Sequence, residues 1–166
     1  MYKRQIKKDH DEVTLEEEIR LVDNYIYILN VRFSGEIHFE KKVDESLLGV
    51  HIPSMLLQPI VENSVNYGIR NIDWEGRIVL SVYREEEKVC ISIKDNGVGM
   101  TEERIAQVMQ NCISHQEDTG DSNGVGLNNV MERLHLFFDG AEEFVMMSEG
   151  PGRGTEVVIR IPYLKM

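Results

Sequence analysis

Apolar residues recur at alternating intervals of four and three residues over the first helical segment of the chain. The positions are Leu15, Ile19, Val22, Ile26, Leu29 and Phe33. Thr14 and Glu17 supply a capping box in front of them. This spacing is that of a coiled-coil seam, which is narrower than the apolar stripe of an ordinary surface helix. Over fewer than three heptads, a helix that packs on its own domain shows the same pattern, and that alternative stays open.

The rest of the chain alternates between strand-like and helix-like patterns. Alternation of apolar and polar residues predicts strands over 36–43, 77–86, 88–95, 142–149 and 154–162. Helices are predicted over 53–70, after the N-cap Thr101, and over 126–138, and the polar run from Asn111 to Asn123 predicts a long loop. Elements in this order predict an α+β fold, a two-layer α/β sandwich in which helices cover one face of a mixed sheet.

Composition and charge exclude several classes of function. The chain has 166 residues, 42% of them hydrophobic, which is enough for one domain with a substantial core. Its net charge of −11 is spread without a basic run, so no nucleic-acid partner is expected. Cys90 and Cys112 lack zinc-site spacing and are expected to be reduced thiols. No apolar run approaches the roughly 20 residues that span a bilayer, so this segment is expected to make no membrane contact.

The first segment that carries chemistry is "PIVENSVNYG", at 59–68. Asn63 offers a hard carbonyl oxygen that suits Mg²⁺, an ion that also takes phosphate oxygens. Tyr67 lies one turn further along the same predicted helix face, where it can cover a flat heterocycle. Taken alone, Asn63 is better explained as a solvent-facing amide and Tyr67 as a half-buried packing residue. The functional interpretation therefore depends on the two segments that follow.

The second segment is "DNGVGM", at 95–100. Asp95 ends an apolar strand and precedes Gly97 and Gly99, so a ligand can approach the backbone of the turn closely. A carboxylate that accepts from the exocyclic amine of adenine selects ATP over GTP, because guanine carries a carbonyl there. An Asx-turn at a strand end is the alternative. Glu102 replaces the third glycine of a Rossmann fingerprint, and the Walker P-loop motif is missing, so neither site is expected.

The third segment is "NGVGLNNVMERL", at 123–134. Gly124 and Gly126 lead into a predicted helix whose first amides and positive dipole end suit triphosphate oxygens. Simple flexibility before a helix is the alternative, but the polar run just upstream favours a phosphate clamp. The run "DTGDSNG" lacks the ligand spacing and the distant Glu of an EF-hand, so calcium is not expected.

Together the three segments resemble the N, G1 and G2 boxes of the superfamily that contains gyrase, MutL, the heat-shock ATPase chaperones and the histidine kinases. More narrowly, "LLQPIVENSVNYGI", "VTLEEEIRLVDNYIYILNVRF", "GVGLNNVMERL" and "GRGTEVVIRIP" resemble sensor histidine kinases of the LytS and YesM type. The resemblance covers nearly the whole chain. It implies a Bergerat-type ATP-binding fold with ATP and Mg²⁺ as its ligands.

The resemblance also implies a role for each matching residue. Asn63 would be the magnesium ligand, Tyr67 would lie beside the adenine, and Asp95 would read it with support from Thr155. Glu62 would assist as an acid or base, with a salt-bridged structural Glu as an equal alternative. The implied nucleotide-binding residues are Asn63, Asn66, Tyr67, Arg70, Asp95, Gly97, Gly99, Met100, Gly124, Val125, Gly126, Leu127 and Thr155.

Three departures from the family pattern carry information. Pro59 stands where gyrase-type hydrolases place a general-base Glu, so rapid hydrolysis of ATP is not expected. Asn66 replaces the Lys or Arg of many relatives, so positive charge for the phosphates would come from Arg70, a loop residue or Mg²⁺. The family's phosphoacceptor segment, similar to "NPHFLYN", is missing. The chain has five histidines, and none of them lies in such a segment: His10, His38, His51, His115 and His135.

The resemblance therefore implies a fragment of a kinase. Residues 1–33 would be the end of a dimerisation hairpin without its acceptor His, and residues 34–166 the catalytic ATP-binding domain. The γ-phosphoryl group would pass to a His on the phosphoacceptor helix of the full-length kinase and then to a response regulator. Little or no autophosphorylation is expected from this chain alone. A homodimer through the N-terminal helix and a parent anchored in the bacterial inner membrane, with this domain on the cytoplasmic side, are also implied.

Two other functions share such a pocket. One is a serine-directed kinase of the anti-sigma type, which the stalk-like first helix argues against. The other is a non-catalytic module that senses ATP, which the complete set of Asn63, Asp95 and the glycines argues against.

Overall fold

The computed structural model of the protein describes residues 12–33, 37–70, 72–114 and 123–163. The elements are β1 (Glu12–Thr14), α1 (Leu15–Phe33), β2 (Ile37–Val43), a short 3₁₀ turn (Glu45–Leu47), β3 (His51–Pro53), α2 (Leu57–Asn63), a π-helical segment (Ser64–Ile69), β4 (Gly76–Glu85), β5 (Lys88–Asp95), α3 (Glu102–Ser114), α4 (Asn123–Phe138), β6 (Glu143–Met147) and β7 (Thr155–Pro162).

Five of the strands form one mixed sheet in the order β2-β4-β5-β7-β6. β2 runs parallel to β4, and the other neighbours are antiparallel. The short strands β1 and β3 pair separately. β5 is the central strand, and its register sets Asp95 opposite Thr155 of β7. The predicted α+β fold with a mixed sheet is therefore confirmed, with β1 and β3 as additional strands.

One face of the sheet forms the core together with the helices. Every second residue along the three middle strands is buried in this core, as expected for side chains that alternate between the two faces of a sheet. These residues are Ile78, Leu80 and Val82 of β4, Val89, Ile91 and Ile93 of β5, and Val157, Ile159 and Ile161 of β7. The helix α4 adds Leu127, Val130, Leu134 and Phe137, the four residues that its periodicity predicts to face inward.

The apolar seam of α1 packs into this same core. Leu15, Ile19, Val22 and Ile26 are buried, and Leu29 is partly buried against them. The Glu17 N–H donates to Thr14 Oγ1 at 3.2 Å, as the predicted cap requires. Packing on its own domain, the alternative to a coiled-coil seam, is thus the arrangement that the structure shows. The assignment of residues 1–33 to a dimerisation hairpin stays a prediction.

Several predicted boundaries are wrong by a few residues. α2 begins at Leu57 rather than at 53, because residues 51–53 pair with β1 instead. α3 is capped by Thr101, whose Oγ1 accepts from the Arg104 N–H at 3.1 Å, but it continues to Ser114 and takes up the start of the predicted loop. No Gly or Pro occurs between 101 and 119 to stop it earlier. The remainder of that loop, 115–122, lies outside the described residues.

In the parts of the chain that the structure describes, no helix is both long enough and apolar enough to cross a membrane.

Candidate nucleotide-binding site

A cavity of about 480 Å³ opens between the helical layer and the end of β5. Its size is within the range of pockets that hold small molecules. Its wall comes from α2 and the π-helical segment, the turn after β5, the start of α3, α4, and the ends of β6 and β7. The lining residues are Ile60, Asn63, Ser64, Tyr67, Gly68, Asp95, Gly99, Met100, Thr101, Arg104, Val108, Leu127, Met146, Pro151, Thr155 and Val157.

Asp95 is the buried charge of this cavity, with 4% of its surface exposed. Its Oδ1 accepts from the Gly97 N–H at 2.9 Å and from the Thr155 N–H at 3.3 Å. The Ser64 side chain also hydrogen-bonds the carboxylate. Burial raises the pKa of the Asp95 carboxyl, and the bonds from Gly97, Ser64 and Thr155 oppose that rise. The carboxylate is thus held in one orientation from three different elements.

Glycines allow the backbone to approach Asp95 this closely. A Cβ built on Gly68 would lie 2.9 Å from Asp95 Oδ1, and one built on Gly97 would lie 2.2 Å from the carbonyl carbon of Gly68. Gly154 has a φ of 76°, and a Cβ there would lie 2.0 Å from the Asp95 carbonyl oxygen. Side chains at these positions would force Asp95 or the backbone around it to move, so Gly68, Gly97 and Gly154 allow the close packing around Asp95.

Asn63 and Tyr67 lie on one wall of the cavity, as their spacing predicts. Asn63 is the last residue of α2, and Tyr67 belongs to the π-helical segment that continues it. The Tyr67 side chain is partly exposed and borders the opening. π-helical turns are rare and occur often at functional sites. This one leaves Asn63, Ser64, Tyr67 and Gly68 together on the side that faces the cavity.

Asn66 and Arg70 do not line the described cavity, although the sequence predicts both as binding residues. Both are exposed. The Arg70 N–H bonds to Val65 O, five residues earlier, rather than four. This wider turn shifts the later residues around the helix axis, so Arg70 does not return to the face of Asn63. For Arg70 the α-helical spacing assumed from the sequence is wrong, and the binding roles of Asn66 and Arg70 stay predictions.

Glu62 is half-buried and also stands outside the described lining of the cavity. Its Oε1 accepts from Gln58 Nε2 at 3.2 Å. Burial raises the pKa of the Tyr25 hydroxyl of α1, and the charge of Glu62 adds to that rise while Arg70 opposes it. Glu62 therefore lies on the side of α2 that is near α1, and its suggested acid or base role stays a prediction.

The glycines of the third segment lie inside α4 rather than before it. The helix begins at Asn123, so Gly124, Val125 and Gly126 form its first turn. The prediction that Gly124 and Gly126 precede the helix is wrong, because the first turn of the helix includes both glycines, which a helix tolerates at a modest cost in stability. The first amides of a helix lack intrahelical acceptors, so these residues still supply free N–H groups in that turn. Leu127, the next residue, lines the cavity.

Several residues of the wall are not among those predicted from the sequence. Ser64 and Ile60 occur at helical spacing from Asn63, Tyr67 and Gly68, a pattern that was available in the sequence. Arg104 places a cation on the wall near Met100, and its position one turn after the Thr101 cap was the available signal. Met146 and Val157 arrive from distant strands and had no local signal.

Replacement of Asp95 by Asn is expected to raise the stability of the ligand-free chain at neutral pH. A carboxyl whose folded-state pKa is raised contributes stability that is fully present below its unfolded-state pKa and is lost as the pH rises through the folded-state pKa. Asn carries no charge and avoids that loss. Unfolding midpoints of both chains from about pH 4 to about pH 8 should differ most at neutral pH and converge toward the ordinary carboxyl range. A difference in midpoint that is the same at every pH, or that is largest at low pH, would contradict the raised pKa of Asp95.

These features define an α+β nucleotide-binding domain, and comparison with known proteins gives its family. The model of the histidine kinase-, DNA gyrase B- and HSP90-like ATPases matches residues 53–165, and the chain belongs to this family. The resemblance predicted from the three segments is thereby confirmed. Membership supports ATP as the substrate of the pocket.

Individual relatives narrow the comparison. The sensor histidine kinase YesM of Bacillus subtilis (strain 168) is 32% identical over 98% of this chain and 26% of its own length. The sensor protein LytS of Oceanobacillus iheyensis is 29% identical over 91% of this chain and 25% of its own length. Among solved structures, the mycobacterial sensor histidine kinase MprB shares the fold with a TM-score of 0.65 at 18% identity, over 93% of this chain and 98% of that one. The chain thus spans about a quarter of the length of the curated relatives it matches.

Proposed function

We propose that this chain is the ATP-binding catalytic part of a sensor histidine kinase. It would supply the γ-phosphoryl group that a histidine elsewhere in the full-length kinase accepts. The observation that carries the proposal is the placement of Asn63 and the buried Asp95 on the walls of one cavity. The relatives of the YesM and LytS type support the choice of kinase within the family.

The Asp95 end of the cavity suits adenine. The carboxylate is fixed by its bonds to Gly97 and Thr155, and it can accept from the exocyclic amine of the base. Apolar side chains of Ile60, Met100 and Leu127 line the same cavity and suit the faces of a flat ring. Guanine would present a carbonyl to a carboxylate, so the arrangement favours ATP over GTP.

The Asn63 end suits the phosphates. Among the described residues, no group of three His, Cys, Asp or Glu is arranged to hold a metal ion. The Asn63 carbonyl is a hard oxygen ligand of the kind that Mg²⁺ uses together with phosphate oxygens. Bound there, Mg²⁺ would neutralise phosphate charge. Among the described residues, the first amides of α4 and the Arg104 guanidinium can hold phosphate oxygens.

The transfer step needs positioning more than covalent chemistry. A ring nitrogen of the acceptor histidine forms a bond to the γ-phosphorus as the bond from that phosphorus to the bridging oxygen breaks, which leaves ADP. Pro59 stands at the position of the hydrolases' general base and has no proton-accepting group. Water is therefore a poor competitor of the histidine for the γ-phosphorus. The response regulator, dimerisation of the parent and its membrane anchor belong to the same proposal, since sensor kinases of this type imply them.

The test compares Asn63 with an asparagine outside the cavity. Asn63→Ala is expected to abolish the increase in ATP affinity that Mg²⁺ gives and to lower phosphotransfer roughly a hundredfold, because the transferred group loses its position. Asn24→Ala, which alters an exposed residue of α1 off the described cavity, should change neither quantity. Calorimetry with and without Mg²⁺ measures the first quantity. Transfer from γ-labelled ATP to the phosphoacceptor region of the full-length protein measures the second.

The same experiment separates the alternatives. Label on a histidine of the phosphoacceptor region supports the proposal. Label on a serine of a partner protein would replace it with the anti-sigma type of kinase. Binding of ATP with no transfer to either residue would leave a sensing module. Equal effects of the two Ala variants would remove the metal role assigned to Asn63.

A further inference from the structure

Glu18 of α1 is a carboxylate with almost no exposure to solvent. Only 2% of the residue is exposed, and a buried charge is unfavourable unless hydrogen bonds satisfy it. Here main-chain donors do so. The Leu56 and Leu57 N–H groups donate to Oε1 at 2.7 and 3.0 Å, and the Met55 N–H donates to Oε2 at 3.3 Å. Glu18 thus binds a segment that lies 37 to 39 residues further along the chain.

The three amides belong to the N-terminus of α2, where helix N–H groups have no intrahelical acceptor. Leu56 precedes the helix and gives it no side-chain cap. Met55 holds a φ of 59°, a left-handed conformation that is unfavourable for a non-glycine residue by about 1–2 kcal/mol. Glu18 therefore supplies from another helix what α2 lacks, an acceptor and a negative charge at its positive dipole end.

The same short segment is also bonded from α4. Arg133 Nη1 donates to the Ser54 carbonyl oxygen at 3.1 Å. We refer to residues 54–57 as the α2 junction. A carboxylate of α1 and a guanidinium of α4 hold this junction, and α2 and α4 both contribute to the wall of the nucleotide cavity.

Displacement of the junction would reach the cavity through α2. Asn63 lies six residues beyond Leu57, or about 9 Å along the helix axis. A helix this short moves as a rigid rod, so an axial shift at Leu57 reappears at Asn63. Asp95 depends less on the junction. Two of its three hydrogen-bonding partners are the turn after β5 and Thr155 of β7, and only the third, Ser64, belongs to the segment that continues α2. The two ends of the cavity therefore differ in their dependence on the junction.

We propose that Glu18 is a positioning residue whose carboxylate sets the axial position of α2 and so the place of the Asn63 side chain in the cavity. It acts through α2 and is not one of the described lining residues. The inference rests on the proposed function, since it concerns the metal and phosphate end of the same pocket. It means that a small axial shift of α2 at the junction changes how the phosphates are held more than it changes the adenine end.

The first test replaces Glu18 with Gln. The amide oxygen can still accept from Leu56 and Leu57, but the NH₂ group then faces the Met55 N–H donor, and the charge is lost. The ratio of ATP affinities with and without Mg²⁺ should fall about tenfold, because Asn63 is displaced, while affinity without Mg²⁺ stays within about twofold. Glu17→Gln, at the exposed neighbouring position, is the matched control and should leave both unchanged. A lower unfolding midpoint with an unchanged ratio would show a purely structural Glu18 and overturn the inference.

The second test uses the unmodified chain and does not depend on whether the variant folds. Coupling between two sites is reciprocal, so Mg²⁺ and ATP together should slow hydrogen exchange at the Leu56 and Leu57 amides. The slowing should exceed that in β2, at the far edge of the sheet. Equal slowing at both places would overturn the positioning role while the proposed function stands. No binding of ATP by the unmodified chain would remove the proposed function, and this inference with it.

Discussion

Asp95→Asn is expected to lower the affinity for ATP by roughly a hundredfold while the chain stays folded. Two backbone donors, the Gly97 and Thr155 N–H groups, point at Oδ1. The amide oxygen of Asn must take that position, because an NH₂ group there would face two donors. The NH₂ group then occupies the other carboxylate position and meets the adenine amine, which is also a donor. The variant thus loses one hydrogen bond and leaves buried donors unpaired.

Calorimetric titration with ATP measures this loss. Asp139→Asn is the matched control, because Asp139 is exposed, lies off the described cavity, and holds a φ of 55° that Asn also adopts readily. It should bind ATP as the unmodified chain does. An Asp95→Asn chain with unchanged ATP affinity would show that this carboxylate does not read the base.

Gly97→Ala is expected to destabilise the fold by about 3 kcal/mol and to abolish ATP binding. The new Cβ would lie 2.2, 2.3 and 2.5 Å from the carbonyl carbon, carbonyl oxygen and Cα of Gly68. These are backbone atoms, so no side-chain rotation relieves the contact. The Gly68 carbonyl also accepts from the Val98 N–H at 2.9 Å, and a displaced turn would break that bond. Asp95 would lose its orientation with it.

Denaturant unfolding and ATP titration check this prediction. Gly49→Ala is the control, because a Cβ at Gly49 meets no atom within 4 Å. Its stability should stay within about 1 kcal/mol of the unmodified chain. If Gly97→Ala matched Gly49→Ala in both measurements, the close packing of the turn after β5 against Gly68 would be refuted.

The parts of the fold with a regular period could be predicted from the sequence. β5 runs over Lys88–Asp95 as predicted, because its apolar positions alternate over eight residues. The inward residues of α4 followed in the same way from the helical period. β1 and β3 have three residues each, which is too short for any period to appear. Their pairing depends on contacts between distant parts of the chain.

The site shows a similar division. Residues identified by their chemistry within a motif, such as Asn63 and Asp95, line the cavity as predicted. Arg70 does not line the cavity, because the π-helical turn changes the angular spacing of the residues around the helix axis. No residue type in the sequence indicates such a turn. The bond between Glu18 and the α2 junction had no local signal either, since donor and acceptor are far apart in sequence. Tertiary packing decides both features.

The shared core of α1 and the sheet has a mechanical consequence. To swing α1 away from the remaining layers would expose Leu15, Ile19, Val22 and Ile26, at about 1.5–3 kcal/mol for each side chain, and would uncover their partners on α2 as well. Thermal motion does not supply that energy. α1 and the ATP-binding layers therefore reorient together as a single body. In the proposed kinase, a large reorientation toward an acceptor histidine would have to take place outside this packed unit.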